Sequence, residues 1–502
     1  MASNNAITAA LLVNTSLPAV GKLHGRDDPI ILEWSDHLST QETSPPASHD
    51  IEARRQSEAD VNKGLRIYVV TFLVLTAFAW GLAGIRGSIL HEPYPRNTVF
   101  FIPEVRFSDF LDLSQRVPHW REPHVLSRTD IKTTHPYPFP YPYPAPSFYV
   151  YVFFVRLFPL HPLRAYLIFV LLSFLLATCF FSLRVRRATS KKLPQIAIWS
   201  TLLLGFPLQF LIDRGNIEAV IWLLVLLGVV AFAWNRMPVS AILWSLAASM
   251  KIFPGLLFVL FLARRKFGTF VVAIAATAAF SLLALAGIGP TIHQAALESS
   301  RSAAFLTSNY IVQHDNAGFD HSFFQGIKHG IYVAEAFQKH PTVPLPIRTL
   351  PANRIALRVY NIVIPLAALL LYWFRLRRLP LLNQFIAYIV LCVSLPYVSG
   401  DYTLVRVYIA WAAFLLFLLD DVATGRVKIP ANAIHRILFS CAVTFVPLSY
   451  IAITGSTNRS FALGPQVKTI FLILILLTVC RVPMPSSLFG DLQLANSGEA
   501  RT

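Results

Sequence analysis

The residues able to do chemistry in this chain are few, and they stand out because so much around them is apolar. Phe107-Ser108-Asp109-Phe110-Leu111-Asp112 sets two carboxylates among aromatic and aliphatic neighbours. Asp213-Arg214-Gly215-Asn216-Ile217-Glu218 packs two acids, a guanidinium and an amide into six positions. Asp315-Asn316 and Asp320-His321-Ser322 follow, then Ser399-Gly400-Asp401-Tyr402 with Arg406 one turn further on. Lys251 stands in the middle of the apolar stretch Val239–Ala263, with Pro254 close behind. A lysine that far from either end of such a stretch cannot easily reach water, and an intramembrane cation is functional by default. Together, Lys251, Arg214 and Arg406 suit the phosphate of an anionic amphiphile. Carboxylates such as Asp109 suit removal of a proton from an attacking hydroxyl.

Each residue also has a plainer reading. Asp109 could cap a short loop helix, Asn216 could cap the helix that follows it, and Glu218 could favour that helix's positive end. Asp213 could decorate the interface, His321 could be an ordinary loop histidine, and Asp401 an ordinary turn residue. Lys251 could neutralise one buried acid. The run Pro136-Tyr137-Pro138-Phe139-Pro140-Tyr141-Pro142-Tyr143-Pro144-Ala145-Pro146 forbids regular helix and favours an extended polyproline rod. It serves either as a stiff strut or, through a ring such as Tyr143, as a platform for a sugar.

The elements that must position these groups are membrane-spanning helices. The 502 residues are 55% hydrophobic and 14% charged, against roughly a quarter charged in an average globular chain. The apolar residues cluster in runs of about 17–24, long enough to cross a hydrocarbon core of about 30 Å. Ten spans are expected, near Ile67–Ile85, His161–Leu183, Ile196–Ile212, Ile217–Trp234, Phe267–Ile288, 355–374, 382–399, 402–419, 434–453 and 466–480. Ser147–Leu160 suits a helix at the membrane surface. Three short hinges are basic: Arg184 to Lys192, Arg264-Arg265-Lys266, and Arg375 to Arg378. If Val239–Ala263 is a broken hairpin entering and leaving on one side, all three hinges are cytoplasmic, as the positive-inside rule requires. The formal charge of +17 is thereby explained without nucleic acid, whose ligands cluster cations on one water-exposed face. Residues 86–147 and 289–353 then lie outside, as do the polar clusters. Residues 1–64 and 482–502 are expected as cytoplasmic tails, the first disordered. Cys179, Cys392, Cys441 and Cys480 fall in apolar spans and read as free thiols.

Ser108-Asp109-Phe110 in the first outer loop, a Tyr-Pro-rich stretch before the second span, Arg214-Gly215-Asn216 and Lys251-Ile252-Phe253-Pro254 occur in a fixed order. In this the chain resembles the glycosyltransferase family 87 proteins (the DUF2029 group) of the GT-C superfamily, over roughly residues 65–480. The resemblance implies an all-α polytopic enzyme of the bacterial inner membrane. Such an enzyme moves a sugar, often mannose, from a polyprenyl phosphate to an outer lipid or glycan acceptor. It implies Asp109 as the base, with Asp112 beside it, and a Lys-x-x-Pro element at Lys251 and Pro254. Donor phosphate would fall to Lys251, Arg214 and Arg406. Asp112, Asp213, Asn216, Glu218, Asp320, His321, Asp401 and Tyr143 are candidates for substrate contacts. Arg214-Gly215-Asn216 stands where the commoner pattern has Gly-Gln. No Asp-x-Asp pair lies on the outer side, and Asp420-Asp421 is adjacent and cytoplasmic, so neither metal nor cofactor is expected. A lipid or solute transporter is the rival reading. It requires polar groups along a path open to both sides, whereas here they crowd one.

Overall fold

The computed structural model describes residues 48–92, 97–100, 106–128, 140–313, 319–336, 345–448, 452–454, 460–462 and 464–491. Expectations for Asp315-Asn316, for Pro136 to Phe139, and for most of both tails lie outside the described residues. The described part is overwhelmingly helical. Its strands are a short antiparallel ribbon, Ala452–Thr454 against Ser460–Ala462.

Among the described residues, seven helices are long and apolar enough to cross a membrane: Ile51–Ser88, Pro162–Ala188, Lys192–Arg214, Phe267–Gly287, Thr349–Arg378, Asp401–Val422 and Gly464–Arg481. They take up seven of the ten expected spans. The other three form shorter helices, and the local chemistry says why. Leu381–Ser394 stops two residues before Pro396, and Ala431–Thr444 three before Pro447. Proline supplies no backbone donor and disfavours helical geometry in the residue before it. Glu218–Ala233 ends beside Asn235, whose φ of 57° is left-handed. Asparagine tolerates that conformation better than most residues.

Burial sorts the helices into layers. Every residue of Leu381–Ser394 and of Val405–Phe417 is buried, so this pair is the centre of the bundle. Phe267–Gly287 and Thr349–Arg378 are peripheral, with Val271, Leu283, Ile362 and Leu369 among their exposed side chains.

The bundle has two chemically distinct ends. At one end the basic hinges meet the start of the first helix and the C-terminal segment. Lys191 Nζ pairs with Glu58 at 2.5 Å, and Gly425 lies against Arg54. Asp421 Oδ2 accepts from Ser487 N at 3.1 Å, and Arg264 donates to the Phe489 carbonyl at 2.5 Å. Arg375 donates to the carbonyls of Cys480 and Arg481. Helices Lys192–Arg214 and Asp401–Val422 each join this end to the other, where the acids and arginines of the candidate site collect.

The stretch Met237 to Ala263 runs between the two ends and back. Helix Met237–Met250 stops at Lys251, and a 3-10 turn, Phe253–Phe258, leads into Val259–Ala263. Arg264 Nη1 then lies 3.4 Å from Asn235 Oδ1, so the stretch finishes where it began. Pro254 sits at the start of the 3-10 turn, and the Cys392 thiol donates to the Phe253 carbonyl at 2.9 Å. The break thus occurs where a neighbour serves a freed backbone group.

Candidate active site

A tight loop-on-turn contact assembles the site. Phe107, with φ 58°, precedes the short helix Ser108–Ser114, and its N–H donates to the Asp213 carbonyl at 2.7 Å. Gly215 meets this loop with φ 64°, and a Cβ there would stand 2.9 Å from Phe110 Cβ. Glycine is therefore required both for the backbone conformation and for the close approach. This contact brings Asp109 onto Arg214 and Asn216. One Asp109 oxygen takes a hydrogen bond from Arg214 Nη2, and the other takes one from Asn216 Nδ2 at 2.6 Å. Asp109 therefore does not cap its helix, which has no side-chain cap.

Asn216 is the junction. Its Nδ2 also donates to the Tyr143 hydroxyl at 2.7 Å, its Oδ1 accepts from Glu218 N at 3.0 Å, and its carbonyl accepts from the Tyr166 hydroxyl. Burial pushes the Tyr143 phenol well above its usual range, so it stays protonated.

Behind the junction lies a buried ionic group. Glu218 is wholly buried, with Oε2 at 2.7 Å from Lys251 Nζ and Oε1 at 2.5 Å from Arg406 Nε. Lys251 also lies over the rings of Tyr143 and Tyr402, at 5.4 and 5.2 Å. Such contacts suit a cation largely stripped of water. Counted over the described residues, two carboxylates (Asp109, Glu218) and three cations (Arg214, Lys251, Arg406) leave this linked cluster at +1. Lys251 and Asp109 keep 16% and 13% of their side-chain surface open, whereas Arg406 keeps 2% and Glu218 none. An incoming ligand meets Lys251, Asp109 and the edge of Arg214 first, with Glu218 and Arg406 behind them.

The remaining candidates fall elsewhere. Asp213 pairs with Arg106 at 3.1 Å, an added pair of zero net charge. Asp112 is buried just beyond Asp109 on the same helix. Asp320, His321 and Asp401 form a second centre: Asp401 Oδ2 is 2.6 Å from Lys468 Nζ, and its Oδ1 is 3.2 Å from His321 Nδ1. Asp320 Oδ1 accepts from the N–H groups of Ser322 and Ser399, both at 2.9 Å, and a β-bridge joins Asp320 to Gly400. All four side chains of this centre are buried, and together they fasten the chain around 320 to the turn at 399–401. That turn carries Tyr402 into the first cluster. Of the polyproline run, Tyr141 is buried and bonded to Ser147 at 2.6 Å, as in a strut, while Tyr143 faces Lys251.

Sequence reading missed Lys468, Arg106 and the role of Tyr402. Lys468 lies near the start of the expected span 466–480, where a lysine can reach the membrane surface, so the feature that singled out Lys251 did not apply to it.

Among proteins already classified, the family model of Glycosyltransferase family 87 matches residues 141–400. That is just over half of the chain, and it takes in Tyr143, Arg214, Asn216, Glu218 and Lys251 but not Asp109 or Arg406. No curated protein and no solved structure matches the chain. With the apolar helices, the clustered site and a match of this extent, the chain belongs to glycosyltransferase family 87, as a multi-pass membrane glycosyltransferase.

Proposed function

We propose that the protein transfers a sugar, mannose by the family resemblance, from a polyprenyl-phosphate donor to a hydroxyl of a lipid or glycan acceptor, with inversion at the sugar carbon. The observation that carries this reading is the cluster of net charge +1 with Asp109 and Lys251 at its open edge. A sugar phosphodiester bears one negative charge, which that cluster neutralises without a further ion. In this reading Lys251 and Arg214 receive the phosphate and Arg406 adds field from behind. The phosphate competes for Arg214, which loosens its hold on Asp109. Asp109 then accepts the proton of the acceptor hydroxyl as its oxygen attacks the sugar carbon. The departing phosphate is a good leaving group and needs fixed cations more than a general acid. Tyr143 and Tyr402 flank Lys251 and supply flat surfaces for the sugar.

In this reading the lipid tail lies in the apolar groove of about 390 Å³ between helix Phe323–Ala336 and helix Leu345–Phe374, lined by Ile327, Ile355, Val359, Tyr360 and Val363. The positive-inside rule puts the basic end in the cytoplasm and the site on the outer face of the inner (plasma) membrane. The stretch Met237 to Ala263 then acts as a re-entrant hairpin that delivers Lys251 from the cytoplasmic side, a reading supported by the return of Arg264 to Asn235.

The test is to incubate protein in lipid nanodiscs with radiolabelled polyprenyl-phosphate mannose and a membrane lipid extract. Label should move to a new product, and Asp109→Asn should abolish the movement. Intact donor after exhaustive incubation with protein and lipid extract would refute the proposal. Translocation of unmodified lipid across a bilayer would instead favour a transporter.

A further inference from the structure

The charge count has a consequence for the end of the reaction, which rests on the reading just given. Transfer forms a bond between the acceptor oxygen and the sugar carbon. It breaks the bond from that carbon to the phosphate oxygen, and the electron pair leaves with the phosphate. The acceptor's proton goes to Asp109. A phosphodiester of charge −1 thereby becomes a phosphomonoester of charge −2, while Asp109 passes from −1 to neutral. The cluster of Asp109, Glu218, Arg214, Lys251 and Arg406 changes in step, from +1 to +2. Site and lipid phosphate sum to zero both before and after the chemistry. Only when Asp109 gives its proton to water does the cluster return to +1 and face a dianion.

We propose that this cluster is charge-matched to a phosphodiester at rest and to a phosphomonoester only while Asp109 holds the acceptor's proton. Loss of that proton favours release of the spent lipid phosphate. Two features of the geometry support it. Asp109 lies at the open edge of the cluster, where its proton can leave, and Glu218 lies at the closed back. Glu218 also has an ion-pair partner at each oxygen, Lys251 at one and Arg406 at the other, and its carboxylate sets the total. Without Glu218 the resting cluster would stand at +2 and would hold the spent phosphate. Among the described residues, the charged neighbours of Asp109 are Arg214 and Lys251, already included, and the phenols nearby are Tyr143, Tyr151, Tyr166 and Tyr402.

The experiment needs no turnover. Farnesyl phosphate and farnesyl methyl phosphate share a chain and differ by one charge at pH 8, where the monoester is close to −2 because its second pKa is about 6. Their affinities are measured in nanodiscs for the parent protein, Asp109→Asn and Glu218→Gln, with a thermal melt to establish folding. Both variants hold the resting cluster at +2. The preference for monoester over diester should rise on the order of ten- to thirtyfold in each. That is what one extra unit charge gives across about 8 Å at an effective permittivity of about 20. Asp109→Asn alone suffices if Glu218→Gln fails to fold, because Asp109 lies at the open edge. If both probes bind and the preference stays within twofold of the parent, the charge-matching proposal is overturned and the phosphate site stands. If neither probe binds the parent protein, both the proposal and the phosphate site fall.

Discussion

Replacing Lys251 with methionine separates its two possible roles, because the structure allows the cost of each to be worked out. Methionine keeps most of the volume and removes the charge, taking the cluster from +1 to zero. A phosphate about 4 Å from an ammonium gains at most about 4 kcal/mol at an effective permittivity of about 20, so donor KM should rise by up to about 10²–10³-fold. Stability should suffer less than a broken buried pair usually costs, about 3–5 kcal/mol, because Glu218 keeps Arg406 at 2.5 Å. A second variant, Lys251→Met with Glu218→Gln, restores the resting charge to +1 but takes the carboxylate away from the buried Arg406. Its melting temperature should fall below that of Lys251→Met, because a buried cation is left without its partner, while donor use stays impaired, since the phosphate still lacks its ammonium. The assay is a saturation curve for radiolabelled donor beside a thermal melt in the same nanodiscs. Parental donor KM in Lys251→Met would refute the assignment and leave Lys251 as the structural partner of Glu218. Full recovery of donor use in the double variant would show that net charge, and not contact, is what Lys251 contributes.

Further outcomes follow from the same geometry. Gly215→Ala places a Cβ against Phe110 and forces an L-residue to φ 64°, a strain of about 1–2 kcal/mol. Transfer should fall with Asp109 displaced, while donor binding at Lys251 persists; unchanged kcat would count against the loop contact as the device that seats the base. For sidedness, a membrane-impermeant thiol reagent on intact cells should label Arg121→Cys and spare Arg377→Cys; the opposite pattern would invert the proposed orientation. Burial raises the Asp320 carboxyl above the ordinary carboxylate range, so the folded state binds its proton more tightly than the unfolded chain does. Its contribution is therefore fully present below the unfolded pKa and is lost as pH rises through the folded one. Asp320→Asn keeps an acceptor for Ser322 and Ser399 and should flatten the melting temperature between pH 4 and 7. An unchanged pH dependence would mean that another group is responsible.

Much of this was legible in the sequence, and the limits have physical causes. The apolar runs gave the helices, but an average over a window reads through a single proline. The stretches near 382–399 and 434–453 accordingly look like spans, although Pro396 and Pro447 curtail their helices. The basic hinges were legible as a set because a topological rule connects them, and their contacts with the first helix and the C-terminal segment bring them to one end of the bundle. Lys251 announced itself by standing alone in hydrocarbon. Its partner Glu218 did not, because an acid in the first turn of a helix has an adequate local explanation in the helix dipole.

Pairing is what a sequence conceals. Glu218 and Lys251 are 33 positions apart, Asp109 and Asn216 107, and Asp401 and Lys468 67. Nothing local selects these partners over others. They are selected by the cost of leaving any buried charge alone, which only the folded arrangement can satisfy. The two buried centres show how differently that demand can be met. Asp401, Lys468 and His321 close on one another with no side-chain surface left open. Such a centre fixes the turn at 399–401, and with it the position of Tyr402. The cluster around Glu218 instead ends in an odd cation and two partly open side chains. A structural ion-pair network has no reason to finish unbalanced at an accessible edge, whereas a site that must receive one negative charge does. On the proposed reading, the imbalance, more than any single residue, is what separates Lys251 and Asp109 from the purely architectural charges of this fold.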